Sequence, residues 1–280
     1  MQTADLHIHS NCSDGSVSPQ ELPNIIKQAN IDIFALTDHD TVDGCIELRK
    51  SYNNFINGIE LTCKFGEIKS HILGLDIDIN NKALQALIQK GRKLRRIKLE
   101  TRIKYLKEIH NIELNEQELE WLYSRHSVVK THLANILVKR GLASCNIEAM
   151  KKYLDDCKTG NTRFDGCECI DIIKKSNGIA IWAHPLGGEG EIHLTPEEFK
   201  PKFDKMLNYG IQGLECYYSR YNEQEINFLV ECAKSNNLYI SGGSDFHGSN
   251  KDIPAGRLNT ENKTVSADKL TVLEKITWKN

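Results

Sequence analysis

The chain has 280 residues, 40% of them hydrophobic and 26% charged, with a formal net charge of -2. That balance describes a globular protein with a large apolar core and excludes intrinsic disorder, while the near-neutral total does not favour indiscriminate nucleic-acid binding. Apolar runs such as Ile31 to Leu36 and Gly178 to Ala183 are far too short to span a bilayer, and Met1 to His7 lacks a basic region followed by an apolar core, so neither export nor membrane insertion is expected.

In chain order, a strand is predicted near Asp5 to His9, a helix from about Pro19 to Ala29 and a strand near Ile33 to Thr37. Ser18 is expected to cap that helix, with Pro19 in its first turn and Glu21 completing a capping box. Further strands are predicted at Phe55 to Leu61, His71 to Leu75, Gly178 to His184, Gly213 to Tyr217 and Leu238 to Ser241. Their alternation with helices suggests a barrel of parallel strands. Between about residues 80 and 150 the strand signals give way to helical runs, Lys82 to His110, Asn115 to Ser124 and His132 to Arg140, which read as an all-helical insertion. Its first helix carries Lys90, Arg92, Lys93, Arg95, Arg96, Lys98, Arg102, Lys104 and Lys107, either a solvated face or a cationic wall that attracts a phosphorylated or polynucleotide substrate.

The nine cysteines are odd in number and include no Cys-x-x-Cys spacing, so they read as reduced thiols of a cytoplasmic protein. The chemistry instead resides in ligand-type residues beside the apolar runs. His7 and His9 are two apart on a strand and share a face, while Leu6 and Ile8 turn the other way. His39, Glu60 and His184 fall at or near later strand ends, where parallel barrels build their sites. Recurrence at so many strand ends points to bound ions, because buried imidazoles and carboxylates without compensation are costly. The mixed donor set suits Zn, Mn or Fe rather than Ca or Mg alone.

Read in order, Asp5-Leu6-His7-Ile8-His9-Ser10, Ser13-Asp14-Gly15, Leu36-Thr37-Asp38-His39-Asp40, Gly58-Ile59-Glu60, His71, Ala183-His184-Pro185 and Gly243-Ser244-Asp245-Phe246-His247-Gly248 resemble the PHP family of polymerase and histidinol phosphatase metal-dependent phosphoesterases. The resemblance runs nearly end to end. It implies one domain over residues 1–280, an α/β distorted (β/α)7 TIM-like barrel with the helical insertion, and two or three divalent ions, Mn, Fe or Zn. The implied ligands are His7, His9, Asp14, His39, Glu60, His71, His184, Asp245 and His247. The insertion and the Gly-Ser-Asp-Phe-His ending look most like a subgroup acting on nucleoside 3',5'-bisphosphates and short RNA ends. Its Arg-Pro-His element corresponds here to Lys130-Thr131-His132, where lysine keeps the charge but loses the bidentate fork of arginine.

The resemblance therefore implies hydrolysis of a phosphate ester of a small nucleotide or a short nucleic-acid end by a metal-bound hydroxide. Lys130 and His132 would hold phosphate oxygens, one of them or a metal-bound water giving the leaving group its proton. Asp40 either orients a ligand or accepts a proton, or is a local turn residue; Arg220 either faces the pocket or forms a structural salt bridge. The same site could serve a histidinol or sugar phosphate, and a less favoured alternative is an amidohydrolase. Trp121, Trp182 and Trp278 read as packing residues, Gly187-Gly188-Glu189-Gly190 as a rim loop, and no segment calls for an obligate protein partner.

Overall fold

The computed structural model describes residues 2–125 and 127–276, so Trp278 lies outside the described residues. Strand β1 (Ala4–Ile8) is buried along its length, with Leu6 and Ile8 in the apolar core. Helix α1 (Leu22–Gln28) starts later than the Ser18 signal suggests. The Ser18–Glu21 pair does form, the Ser18 amide donating to Glu21 Oε2 at 3.0 Å, but it closes a separate turn. Pro23 explains the offset: it has no N–H to give a helix begun at Pro19, and is tolerated only in a first turn.

Strand β2 (Ile33–Leu36) lies parallel to β1, with helix α2 (Asp43–Arg49) following it, and β3 (Ile56–Phe65) is parallel to β2. Strand β4 (Ile68–Leu75) breaks the expected parallel order. It returns antiparallel along β3, from Phe65 opposite Ile68 to Gly58 opposite Leu75. The reason is the two-residue connection Gly66-Glu67, with Gly66 at φ 58, since parallel neighbours need a crossover of a dozen residues or more. Strand β5 (Phe164–Asp165) pairs in parallel with β3, whereas β6 (Ile179–Trp182) runs antiparallel to β4. Parallel order resumes through β7 (Gly213–Tyr218) and β8 (Tyr239–Gly243).

The ends of this sheet meet. The His9 amide donates to the Phe246 carbonyl at 2.9 Å and the Asp245 amide to the His7 carbonyl at 2.9 Å. Gly243 permits the approach, because a Cβ there would stand 2.2 Å from the His7 Cβ. The result is a distorted, nearly closed TIM-like barrel of seven strands, with β5 added on one edge.

The insertion comprises α3 (Lys82–His110), α4 (Glu116–Ser124), α5 (Lys130–Lys139) and α6 (Asn146–Tyr153), so it runs slightly past the expected limit. Asn81 caps α3, accepting from the Ala83 amide at 2.9 Å. Leu84, Leu87 and Ile88 join α3 to the barrel core, whereas Leu99 and Leu106 enter a second cluster with Leu122, Leu133 and Leu137. One long helix thus ties two hydrophobic clusters together. Helices α7 (Gly166–Lys175), α8 (Pro196–Asn208) and α9 (Glu223–Ser235) cover the remaining strands, and Trp182 stacks on Phe199 with ring centroids 5.5 Å apart. No helix among the described residues is long and apolar enough to cross a membrane, and the nine cysteines are unpaired.

Candidate metal centre

Barrel closure and the strand ends bring the nine ligand-type residues together around Glu60. This carboxylate is not at a strand end, since β3 continues to Phe65, but it lies past the β2 ladder that ends at Asn57, bridged in parallel to His39 in the chain after β2. Its Oε2 is 3.2 Å from His7 Nε2, 3.1 Å from His9 Nε2 and 3.2 Å from His39 Nδ1. Its Oε1 is 2.9 Å from His71 Nδ1 and 3.2 Å from His184 Nε2. Asp245 Oδ1 stands 3.2 Å from His9 Nε2, and Asp14 Oδ1 stands 3.1 Å from His247 Nε2. Asp245 and His184 have φ of 59° and 31°, left-handed conformations that aim strand-end side chains inward.

The donor set fits divalent ions. His7 Nε2, His9 Nε2, His39 Nδ1, His71 Nδ1, His247 Nε2 and Glu60 Oε2 are buried without a hydrogen-bond partner. Such groups are costly unless something shares them. They fall into three sets whose ligand atoms lie within 4.8 Å of one another: His9, Asp14, His39 and His247; His7, His9, Glu60 and Asp245; and His39, Glu60 and His71. His9, His39 and Glu60 each belong to two sets, so neighbouring positions share ligands. Imidazole with carboxylate is the donor chemistry of Zn, Mn and Fe.

Electrostatics prepares the carboxylates for this task. Burial opposes their ionisation, but the surrounding imidazoles prevail: His39, His7 and His71 hold Glu60 well below the usual range, and His247 and His39 do the same for Asp14. Burial would also lower His7, yet Glu215, Glu60 and Asp245 hold it well above an ordinary imidazole. The carboxylates thus favour positive charge here, and bound ions would supply it in place of protons. Burial pulls His39 below its ordinary value, against the opposing pull of Glu60 and Asp14.

The cluster opens into a cavity of about 550 Å³ lined also by Lys130, Ile147, Met150, Lys151, Glu189 and Lys251. Lys130 reaches the cavity while ion-paired to Asp155. His132 does not line it. The ring is 3% exposed, and its Nδ1 accepts the Val129 amide at 3.0 Å, capping α5. Asp40 is likewise engaged elsewhere, Oδ1 accepting the Thr62 amide at 2.7 Å and Oδ2 accepting Arg95 Nε at 2.8 Å. Arg220 is exposed and donates to the Gly188 carbonyl at 3.3 Å.

Three residues at the site had not been singled out in the sequence. Glu215 accepts from His7 Nδ1 at 2.8 Å and from the His184 amide at 2.7 Å, fixing two ligands at once. Lys251 Nζ lies 2.7 Å from Asp245 Oδ2, whose other partner is the Tyr218 hydroxyl at 2.9 Å. The available signals were an acid inside an apolar run for Glu215 and a lysine four residues after His247 for Lys251.

Residues 5–169 match the PHP domain family. The chain belongs to that family. This PHP protein is accordingly an enzyme, a metal-dependent phosphoesterase, and the ligand-type residues beyond the match, His184, Asp245 and His247, converge on the same centre. It is 29% identical to the 5'-3' exoribonuclease Rnm of Salmonella typhimurium, over 90% of this chain and 88% of that one. It is 30% identical to a 5'-3' exoribonuclease of Haemophilus influenzae (87% and 89% covered) and 27% identical to a 3',5'-nucleoside bisphosphate phosphatase of Chromobacterium violaceum (88% and 88%). In fold, the PHP chain superposes with a TM-score of 0.83 on an amidohydrolase from Chromobacterium violaceum solved with bound sulfate and no metal, at 24% identity over 98% of this chain and 95% of that one.

Proposed function

We propose that this PHP enzyme hydrolyses a phosphate ester of a small nucleotide, a nucleoside 3',5'-bisphosphate in the first instance, or of a short RNA end. The observation carrying this reading is the shared cavity: the cluster around Glu60 and the cations Lys130, Lys151 and Lys251 line one space of about 550 Å³, larger than a phosphate alone requires. The similarity to exoribonucleases and to a nucleoside bisphosphate phosphatase supports the same substrate class.

In this reading His7, His9, Asp14, His39, Glu60, His71, His184, Asp245 and His247 hold two or three divalent ions of the Mn, Fe or Zn class. Such ions supply Lewis-acid activation of the ester and of the attacking water. Glu215 fixes the His7 ring through Nδ1, leaving Nε2 for ligation. Lys130, lining the cavity, holds non-reacting phosphate oxygens, and Lys251, which lines it too, gives the leaving oxygen its proton. Asp40 and His132 act as positioning residues, Asp40 by fixing the segment after His39 against β3 and α3, His132 by holding the start of α5 from which Lys130 projects. Arg220 steadies the rim loop at Gly188.

The test is phosphate release by Mn-loaded protein from adenosine 3',5'-bisphosphate, a 5'-phosphorylated oligoribonucleotide and histidinol phosphate. Turnover of either of the first two, lost in His39→Ala, is expected. Turnover of histidinol phosphate alone would overturn the substrate class.

A further inference from the structure

Helix α6 divides its residues between two surroundings. Ala149 and Tyr153 are buried in the second hydrophobic cluster, and the Tyr153 hydroxyl donates to the Leu142 carbonyl at 3.2 Å. Ile147, Met150 and Lys151 lie on another stripe, with the spacing of three and four that shares one side of a helix, and all three line the catalytic cavity. The ion pair of Lys130 with Asp155, 2.5 Å, ties the segment after α6 to the start of α5, and both partners line the same space.

Ile147 and Met150 are the apolar side chains of a cavity otherwise lined by histidines, acids, lysines, asparagines, a threonine and glycines. Ile147 is 62% exposed, and among the exposed large hydrophobic side chains of the described residues it alone lines this cavity. An apolar group laid against it would remove that surface from water, which is favourable in proportion to the area covered. Met150 is half-buried against the second cluster, and its flexible thioether adapts to the shape of what it meets. The cavity therefore offers two kinds of surface, a charged one at the Glu60 cluster and the lysines and an apolar one on α6, and it suits a molecule with an anionic end and a flat apolar end.

We infer that Ile147 and Met150 form a shelf that takes the nucleobase of the substrate while the metal centre and Lys130 take its phosphates. The inference rests on the nucleotide reading above and adds the group that the charged residues leave uncovered. Isoleucine has no hydrogen-bonding group and methionine only a weak acceptor, so the shelf holds a base by its face and does not read its edge. The base belongs either to a nucleoside bisphosphate or to the terminal nucleotide of RNA.

The experiment compares kcat/KM of the metal-loaded full chain within two pairs of substrates: adenosine 3',5'-bisphosphate and the same sugar bisphosphate without a base, and a 5'-phosphorylated trinucleotide and its counterpart lacking the first base. Wild type favours the base-bearing member of a pair; in Ile147→Ser the ratio within the pair falls about fivefold, and Ile147→Leu keeps it. The pair whose ratio falls further identifies the source of the base. An unchanged ratio in Ile147→Ser overturns the shelf, whether the separate rates hold or fall together, and so does an equal fall in Ile147→Leu. Should wild type hydrolyse p-nitrophenyl phosphate but no nucleotide, the substrate reading fails on its own. The shelf is then judged by inhibition of p-nitrophenyl phosphate hydrolysis: the advantage of adenosine 3',5'-bisphosphate over its base-less form shrinks about fivefold in Ile147→Ser if the shelf stands and is unchanged if it does not.

Discussion

Glu215 shows how one side chain can govern a centre it does not enter. With one oxygen on His7 Nδ1 and the other on the His184 amide, it sets the tautomer of one ligand and the backbone of another. Glu215→Gln is expected to weaken metal retention by about 10- to 100-fold, read as metal content after dialysis against chelators of graded strength. Unaltered retention would mean that packing alone orients His7. His132 offers a second test, in pH. Burial, helped by Arg125 and Arg95, lowers it to about 4, so the folded state keeps it neutral while the unfolded chain protonates near 6.5. Its contribution to stability is present above 6.5 and lost as pH falls toward 4, about 2 kcal/mol between pH 7 and pH 5. Urea unfolding at the two pH values should show that loss in wild type and a smaller one in His132→Asn; equal losses would contradict it. The ligand-type pairs His7/His9 and Asp245/His247 were legible because spacing of two is itself a signal. Glu215, a lone acid in a strand, and Lys251, a lone lysine in a loop, carry no such spacing, and the destination of the Asp40 carboxylate depends on Arg95, far away in sequence.

Among the elements, α3 matters most, because its Arg95 reaches from the insertion to Asp40 beside the metal centre. The pair is buried, with Asp40 5% and Arg95 6% exposed. Asp40→Asn keeps the left-handed backbone at φ 53, which asparagine tolerates, but leaves the guanidinium without its counter-charge. The loss expected in urea unfolding is about 3–5 kcal/mol, and Asp40→Asn with Arg95→Met should lose less than the two singles summed. Additive losses would mean the pair is not coupled. The bounds of α3 were readable from its helical run, as were most strands to within a few residues. The direction of β4 was not. Strand periodicity has no sense of direction, and the decisive Gly66-Glu67 turn lay in the gap between the strands expected at Phe55 to Leu61 and His71 to Leu75.

For the whole molecule, closing the sheet is what makes the chemistry. β1 supplies His7 and the chain just after β8 supplies Asp245, and the backbone bonds joining them, His9 to Phe246 and Asp245 to His7, place both beside Glu60 from β3. A chain with net charge of -2 thus gathers acids at one point and lines the adjoining space with lysines. The most direct measurement is a titration of metal-free protein with Mn(II), following bound metal and phosphate release from adenosine 3',5'-bisphosphate together. Release should be absent without metal, rise as the His, Asp and Glu sets fill, and be lost along with bound metal in Glu60→Gln. Full turnover by metal-free protein, or unchanged metal binding and turnover in Glu60→Gln, would contradict the assignment of this cluster as the catalytic centre.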